Sequence, residues 1–343
     1  MSTLVADQEA VSARTSRGRR LVGLIAALAA LAVAVLLSLA LGSRPLALPD
    51  VITGLFADNG EAHVIVVQQR IPRTVMGLMA GCALAVAGAL MQGLTRNALA
   101  EPGLLGVSSG AAFAMVVAVL AVPGIGRTEL VWTSFVGAVV ATVVVYAIGS
   151  IGGSSMVTLV LAGVAVGAVL EGVLAVLRIL NQAALQALRT YAAGTLEGIT
   201  WETVRLVAPY ELAALALAAY AARGLNAVAL GDDLATALGI HQGRIRLAVV
   251  VAVTVLCGLC AAAVGLIVFV GMMVPHVARW ITGPDQRWIL AYSAVLGPSL
   301  LVYADVVGRV VAIPDEIPAG LVTAVIGAPA LVWLVRRRRV SGL

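Results

Sequence analysis

Lysine is absent from this 343-residue sequence, and all 22 basic residues are arginine. Without lysine there is no ordinary P-loop nucleotide site, whose lysine reaches the phosphates. Lysine Schiff-base chemistry is excluded for the same reason. Charge of either sign is scarce: charged residues make up 11% of the chain, against about 25% in a soluble globular domain. Aromatic residues are 4%, and the three histidines (His63, His241, His276) lie far apart, which speaks against a multi-histidine metal centre. Cys82, Cys257 and Cys260 sit in apolar stretches. Cys257 and Cys260 share a helix face but have no further ligand types beside them, so they read as small buried hydrophobes. No large basic face for nucleic acid is visible.

What the chain does have is apolar length. Hydrophobic residues make up 61%, glycine is abundant at 36 residues, and the mean hydropathy is +1.05. A water-soluble fold of this size could not hide so much apolar surface, whereas a bilayer needs only about 20 apolar residues per helical crossing. Small residues let helices approach closely inside a membrane. The expected class is therefore all-α: a polytopic membrane protein of about ten transmembrane helices.

The apolar runs predict spans at 21–41, 74–94, 107–122, 130–148, 157–180, 204–222, 247–264, 266–281, 289–307 and 319–335. The first run is too long for a signal-peptide core and reads as a retained span. Ten crossings put both termini on one side. The positive-inside rule makes that side cytoplasmic, since 14 of the 22 arginines then face inward. The organisation expected is a cytoplasmic tail at 1–20, a transmembrane domain at 21–335 with a cytoplasmic loop at 225–246, and a basic cytoplasmic tail at 336–343. Arg70, Arg73 and Arg309 fall on the opposite side and need another reason to be there. Glu171 reads as the one acidic residue well inside a span, facing the bundle.

Three segments carry more specific information. The first runs from Arg70-Ile71-Pro72-Arg73 to the polar, glycine-rich stretch Arg96–Gly110, with Asn97 and Leu99 near its start. Irregular backbone at membrane depth is tolerated only against protein or a water-filled cavity. The second is Gly231-Asp232-Asp233-Leu234-Ala235-Thr236-Ala237-Leu238-Gly239 in the long loop. It reads as a short helix with an aspartate start, a glycine stop and two leucines on one face. Such a helix docks into a partner's groove or lies on the membrane surface. The third runs from Gly265 through Pro275-His276 and Arg279 to Asp305, Arg309, Pro314, Glu316, Pro318 and Gly327-Ala328-Pro329. His276 has the setting of a structural hydrogen-bonding residue.

In this order the segments resemble the permease family of ABC importers for iron–siderophore complexes and vitamin B12, over roughly residues 67–335. Each motif alone is weak, and the ordered set is specific. The sequence departs from the family pattern at Ala98, where proline is usual, and at Gln286, where histidine is usual.

The resemblance implies a type II ABC importer permease fold in the inner membrane. Its cargo would be a ferric-siderophore-type chelate, or a related bulky chelate such as cobalamin or haem. It implies a second permease subunit, identical or related, two cytoplasmic ATPase subunits that bind ATP and Mg2+, and an extracytoplasmic solute-binding protein. This chain itself would bind no cofactor and catalyse nothing. By the same resemblance, Gly231, Asp232, Asp233, Leu234, Ala235, Leu238 and Gly239 form the helix that couples to the ATPase. Arg70, Arg73 and Arg309 form basic pockets for acidic residues of the binding protein, with headgroup contacts or internal ion pairs as the alternative for these arginines. Asn97, Leu99 and the loop Ser154, Ser155, Met156 and Val157 are gate candidates. A secondary transporter driven by an ion gradient is the competing function. It would show intramembrane acidic residues and broken helices, and would work without an ATPase.

Overall fold

The computed structural model describes residues 2–42, 49, 54, 60, 63–151, 156–228 and 241–337. Among these, eleven α-helices form and no strand does. In chain order they are α1 (Ser2–Ala40), α2 (Ile71–Thr95), α3 (Val107–Ala121), α4 (Arg127–Ile151), α5 (Met156–Leu180) and α6 (Gln182–Ala193), then α7 (Trp201–Val228), α8 (Gln242–Val264), α9 (Val270–Thr282), α10 (Gln286–Val311) and α11 (Ala319–Arg337). A π-helical turn, Val64–Arg70, leads into α2, and a 3-10 turn, Pro102–Leu105, precedes α3.

Among the described residues, seven helical stretches are long and apolar enough to cross a membrane. They are Gly18–Ala40, Val64–Thr95, Arg127–Ile151, Val157–Leu180, Trp201–Val228, Gln242–Val264 and Gln286–Val311. The chain is thus a multi-pass helical membrane protein, and each of the ten expected spans falls on a helix.

Helix α2 is the centre of the bundle. It packs against α7, α8, α9 and α10 and is buried along most of its length. Its glycines make that possible. A Cβ on Gly81 would lie 2.6 Å from the Gly297 carbonyl oxygen of α10, and one on Gly88 would collide with the Gly271 carbonyl of α9. Backbone-to-backbone contact of this kind replaces the hydrophobic drive that lipid cannot supply. At the periphery, α1, α4 and α5 turn large aliphatic side chains outward, among them Ile25, Val143 and Val169.

The differences from expectation have local causes. At 1.5 Å per residue, α3 with 15 residues and α9 with 13 reach only roughly 22 and 20 Å, short of a hydrocarbon core of about 30 Å. Helix α9, at the eighth expected span, starts at Val270, four residues late, because Gly265 has φ +81° and Leu266 donates its N–H to the Tyr191 carbonyl (2.7 Å). Helix α6 was not foreseen; Asn181 caps it by accepting from the N–H groups of Ala183 and Ala184. Helix α1 reaches back through the expected tail to Ser2. Helix α7 continues to Val228 and α8 starts at Gln242, which narrows the long loop. Glu171 is exposed on α5 rather than facing the bundle, and it is not the only acid within a span, since Glu211 lies in α7 and Asp305 in α10.

Candidate functional site

Two places in the bundle concentrate polar chemistry. The first is the end that carries the α2 N-terminus. Helix α1 stops there with its last carbonyls unpaired within the helix, as every helix does. Two arginines take them up. Arg70 donates Nη1 to the carbonyls of Leu39 (2.7 Å) and Ala40 (2.9 Å), and Arg309 donates Nη1 to those of Ser38 (3.0 Å) and Leu41 (3.1 Å). Positive charge at a helix C-terminus is also favoured by the helix dipole.

The same guanidinium groups enter an ionic lattice. Asp305 and Arg309 are one turn apart on α10 and pair at 2.9 Å. Arg73 of α2 donates Nη2 to Asp305 (2.8 Å), adds Nε at 3.1 Å, and donates Nη1 to Glu316 (2.6 Å). Arg309 Nη2 also donates to Ser38 Oγ (2.6 Å), and Ser38 Oγ lies 2.7 Å from Thr74 Oγ1. Arg309 and Asp305 are each only 2% exposed. A buried charge is tolerable only when paired and hydrogen-bonded, and this one is. Beside the lattice is a depression of about 410 Å³ lined by Gln68, Arg70, Arg73, Glu197, Arg309 and Glu316.

The structure therefore gathers Arg70, Arg73 and Arg309 around one hollow, as the sequence reading grouped them. It also commits them internally: Arg73 and Arg309 already hold the ion pairs that were the alternative reading, and Arg309 holds them out of solvent. Asp305 and Glu316 stood in the third segment without an assigned role. The i, i+4 spacing of Asp305 and Arg309 was the available signal.

The second place is a junction of two broken helices. Between α2 and α3, Arg96 takes a left-handed conformation (φ 50°), Asn97 Oδ1 accepts the N–H of Leu99 (2.9 Å), and the chain climbs to the 3-10 turn. Between α8 and α9 the chain leaves the helix from Gly265 (φ +81°) to Phe269 (φ +69°), both at positive φ. The two breaks meet near the midpoint of α2: a Cβ on Gly271 would lie 2.9 Å from the Leu84 carbonyl oxygen and 3.3 Å from Pro102. A cavity of about 30 Å³, large enough to hold water, lies there against Glu101, Ser108, Cys257, Gly265 and Gly271. The junction is closed by backbone bonds, from Thr195 N–H to Val264 O (2.9 Å) and from Gly320 N–H to Gly194 O (2.8 Å), and by Gln92 Nε2 to Met272 O (2.9 Å).

Of the gate candidates, Asn97 and Leu99 are exposed in the turn just described, and Val157 is exposed at the start of α5, where Met156 is the first helical residue. Ser154 and Ser155 lie outside the described residues, as do Gly231, Asp232, Asp233, Leu234, Ala235, Leu238 and Gly239. The flanks of that last segment are defined. Gly224 of α7 packs on Ile245 of α8, and Arg96 Nη2 donates to the Val228 carbonyl. His276 packs edge-on against Trp280, with ring centroids 5.1 Å apart. The three cysteines are free thiols, and no three His, Cys, Asp or Glu side chains among the described residues converge as metal ligands.

A central helix with backbone-close neighbours, two half-length helices meeting at mid-depth and an ionic lattice at one end define a helical membrane permease. The chain belongs to the FecCD transport family, whose model matches residues 30–337. It is 43% identical over 315 residues to the ferric enterobactin transport system permease protein FepD of Escherichia coli, covering 91% of this chain and 94% of that one. It is 39% identical to the iron(3+)-hydroxamate import system permease protein FhuB of Bacillus subtilis, over 92% and 83% of the two chains. It is 34% identical to the hemin transport system permease protein HmuU of Yersinia pestis, over 79% and 82%. Among solved structures, a metal-chelate type ABC transporter in an inward-facing conformation superimposes with a TM-score of 0.82 at 24% identity, covering 92% of this chain and 99% of that one. That likeness bears on the fold.

Proposed function

We propose that this permease forms one half of the pore of a binding-protein-dependent ABC importer and carries ferric-siderophore-type chelates across the inner membrane. The observation that carries the reading is the 43% identity, over nearly the whole of both chains, to a ferric enterobactin permease. Its partners are a second permease subunit, two cytoplasmic ATPase subunits that supply ATP and Mg2+ chemistry, and an extracytoplasmic solute-binding protein. Both termini face the cytoplasm, which puts the arginine-rich hollow outside and the 229–240 segment inside.

In this reading the chain does no covalent chemistry. The aspartate-led segment from Gly231 to Gly239 docks on the ATPase and takes up its motion. Helices α7 and α8, which flank that segment and pack on each other at Gly224 and Ile245, carry the displacement into the bundle. The Arg96–Val228 bond ties the end of α7 to the turn holding Asn97 and Leu99. The Arg96 side chain therefore links the coupling segment to these gate candidates, and Ser154, Ser155, Met156 and Val157 are the remaining gate candidates. Outside, the hollow offers Arg70 to a carboxylate of the binding protein, beside Arg73, which already holds Asp305 and Glu316. Arg309 holds the hollow in shape from beneath.

The test is uptake. A strain lacking the gene, grown under iron limitation with single chelates supplied, loses growth on its own chelate only. Purified permease in vesicles transports only when ATPase, ATP and binding protein are all added. Transport by the permease alone, driven by an ion gradient, overturns the reading. Charge reversal of Asp232 and Asp233 together with Leu234→Arg leaves ATP hydrolysis running and stops uptake; normal uptake removes the coupling role.

A further inference from the structure

The flank of the bundle between α2, α7 and α10 is not filled by protein. Two adjoining hollows, of about 410 and 340 Å³, share Cys82, Leu215 and Ala294 and together form one furrow. Its walls are apolar almost throughout. Glu211 lines the far half but is only 4% exposed. Along α7 the furrow runs from Ala208 to Arg223, fifteen residues or roughly 22 Å at the helical rise. One leaflet with its headgroup region is about 20–22 Å deep, half of a bilayer of 40–45 Å.

The near end of the furrow is charged. Arg223 of α7 and Arg287 of α10 line it, both exposed. Neither guanidinium makes a hydrogen bond or ion pair with a described residue. Their separation is fixed by a clamp between the two helices. Asn226 Nδ2 donates to Asp285 Oδ1 (2.9 Å), Asn226 Oδ1 accepts the Gln286 N–H (2.8 Å), and Asp285 Oδ1 also accepts the Arg287 N–H (3.0 Å). Arg223 is one turn before Asn226, so the clamp holds the two arginines at one level. Asp285 is the carboxylate of this clamp, and its Oδ1 is already engaged. Beside Arg287, Trp288 lies under the Arg20 guanidinium at 5.9 Å. Tryptophan and arginine together mark the headgroup plane of a membrane protein.

We propose that this furrow is a binding site for an anionic phospholipid. One acyl chain fills the slot along Leu215 and Ala294, and the headgroup phosphate sits between Arg223 and Arg287. Guanidinium groups bind phosphate through paired hydrogen bonds, and basic pockets between membrane helices are where acidic headgroups collect. A slot of single-leaflet depth with charge at the headgroup end alone suits a lipid. A docked protein helix would extend beyond one leaflet. The inference rests on the chain lying in a membrane. It needs neither the cargo nor the orientation proposed above.

The experiment is mass spectrometry of the purified full-length permease under non-denaturing conditions. Phosphatidylglycerol and phosphatidylcholine with identical acyl chains are titrated in turn. Wild type holds phosphatidylglycerol at least tenfold more tightly. The Arg223→Gln/Arg287→Gln pair abolishes that preference, while the equally charge-neutralising Arg189→Gln/Arg205→Gln pair keeps it. Leu215→Trp, which fills the slot, reduces retention of both lipids, and gives a second reading should the double variant fold poorly. Equal binding of the two lipids by wild type, or loss of preference in both arginine pairs alike, overturns the proposal. So does a disulfide-linked dimer formed through Ala291→Cys on the furrow wall, which would assign the face to a second copy.

Discussion

Replacing Arg309 with glutamine tests whether the ionic lattice holds the α1, α2 and α10 ends together. The side chain makes an ion pair with Asp305 and three hydrogen bonds to Ser38 and Leu41, and it is 2% exposed. Glutamine keeps a donor amide but cannot span these partners at once. Asp305 would keep Arg73, so it is not left wholly unpaired. The carbonyls of Ser38 and Leu41 would lose their donor. Breaking a buried ion pair costs about 3–5 kcal/mol, and the retained Arg73 contact puts this case near the lower figure. A loss of about 3 kcal/mol corresponds to a roughly hundredfold shift of the folding equilibrium. Unfolding of the detergent-solubilised protein by added denaturing detergent, followed by circular dichroism, reads this directly. Asp305→Asn and the double variant complete a cycle. The double variant should cost less than the sum of the singles by about 1–2 kcal/mol, because the second change removes a charge already stranded. Arg309→Gln as stable as wild type, or strictly additive singles, would refute the account. It would also return Arg309 to a pure docking role.

Two further substitutions separate motion from packing. Arg96 holds φ 50° and bonds the Val228 carbonyl, so Arg96→Gly relieves the backbone while cutting the link. Thermal stability should hold within about 1 kcal/mol while uptake per ATP falls several-fold; unchanged coupling shows that the link transmits nothing. Gly81→Ala would drive a methyl to 2.6 Å from the Gly297 carbonyl oxygen. The expected cost is about 1–3 kcal/mol of overpacking, seen as a lower yield of monodisperse protein; wild-type yield and melting would mean that α2 and α10 can separate freely.

The helices were legible because lipid imposes long apolar runs, and the ten expected spans each found one. What the sequence concealed is where the backbone breaks. The run from Leu266 to Pro275 carries no charge, yet its first residues are not helical, since the Tyr191 carbonyl captures the Leu266 N–H. That capture depends on α6, a helix of twelve residues and so without a span-length signal. The arginine grouping was legible as motif, but its partners were not. Arg73 reaches across 232 residues to Asp305, and no local pattern encodes such a pairing. Charge scarcity drew attention to Glu171 and away from Glu211, although the expected span 204–222 already held Glu211 near its middle, two residues after Pro209.

Glu211 bears on the competing function most directly. Broken helices and intramembrane acids were the marks expected of an ion-gradient transporter, and both are present. The acids do not form a path, however. Asp305 is neutralised by two arginines at one end, while Glu211 opens on the lateral furrow beside Cys82 and Leu215. A proton relay needs acids within reach of one another or of water along a continuous line, and no hydrogen bond joins Glu211 to another side chain among the described residues. Glu211→Gln removes the proton site and keeps the shape. ATP-dependent uptake in vesicles should stay within about twofold of wild type, well under the tenfold that corresponds to 1.4 kcal/mol. It should also be indifferent to an imposed pH gradient in both proteins. Uptake that follows the gradient in wild type and loses that dependence in the variant would place a proton in the transport cycle and reopen the choice of energy source.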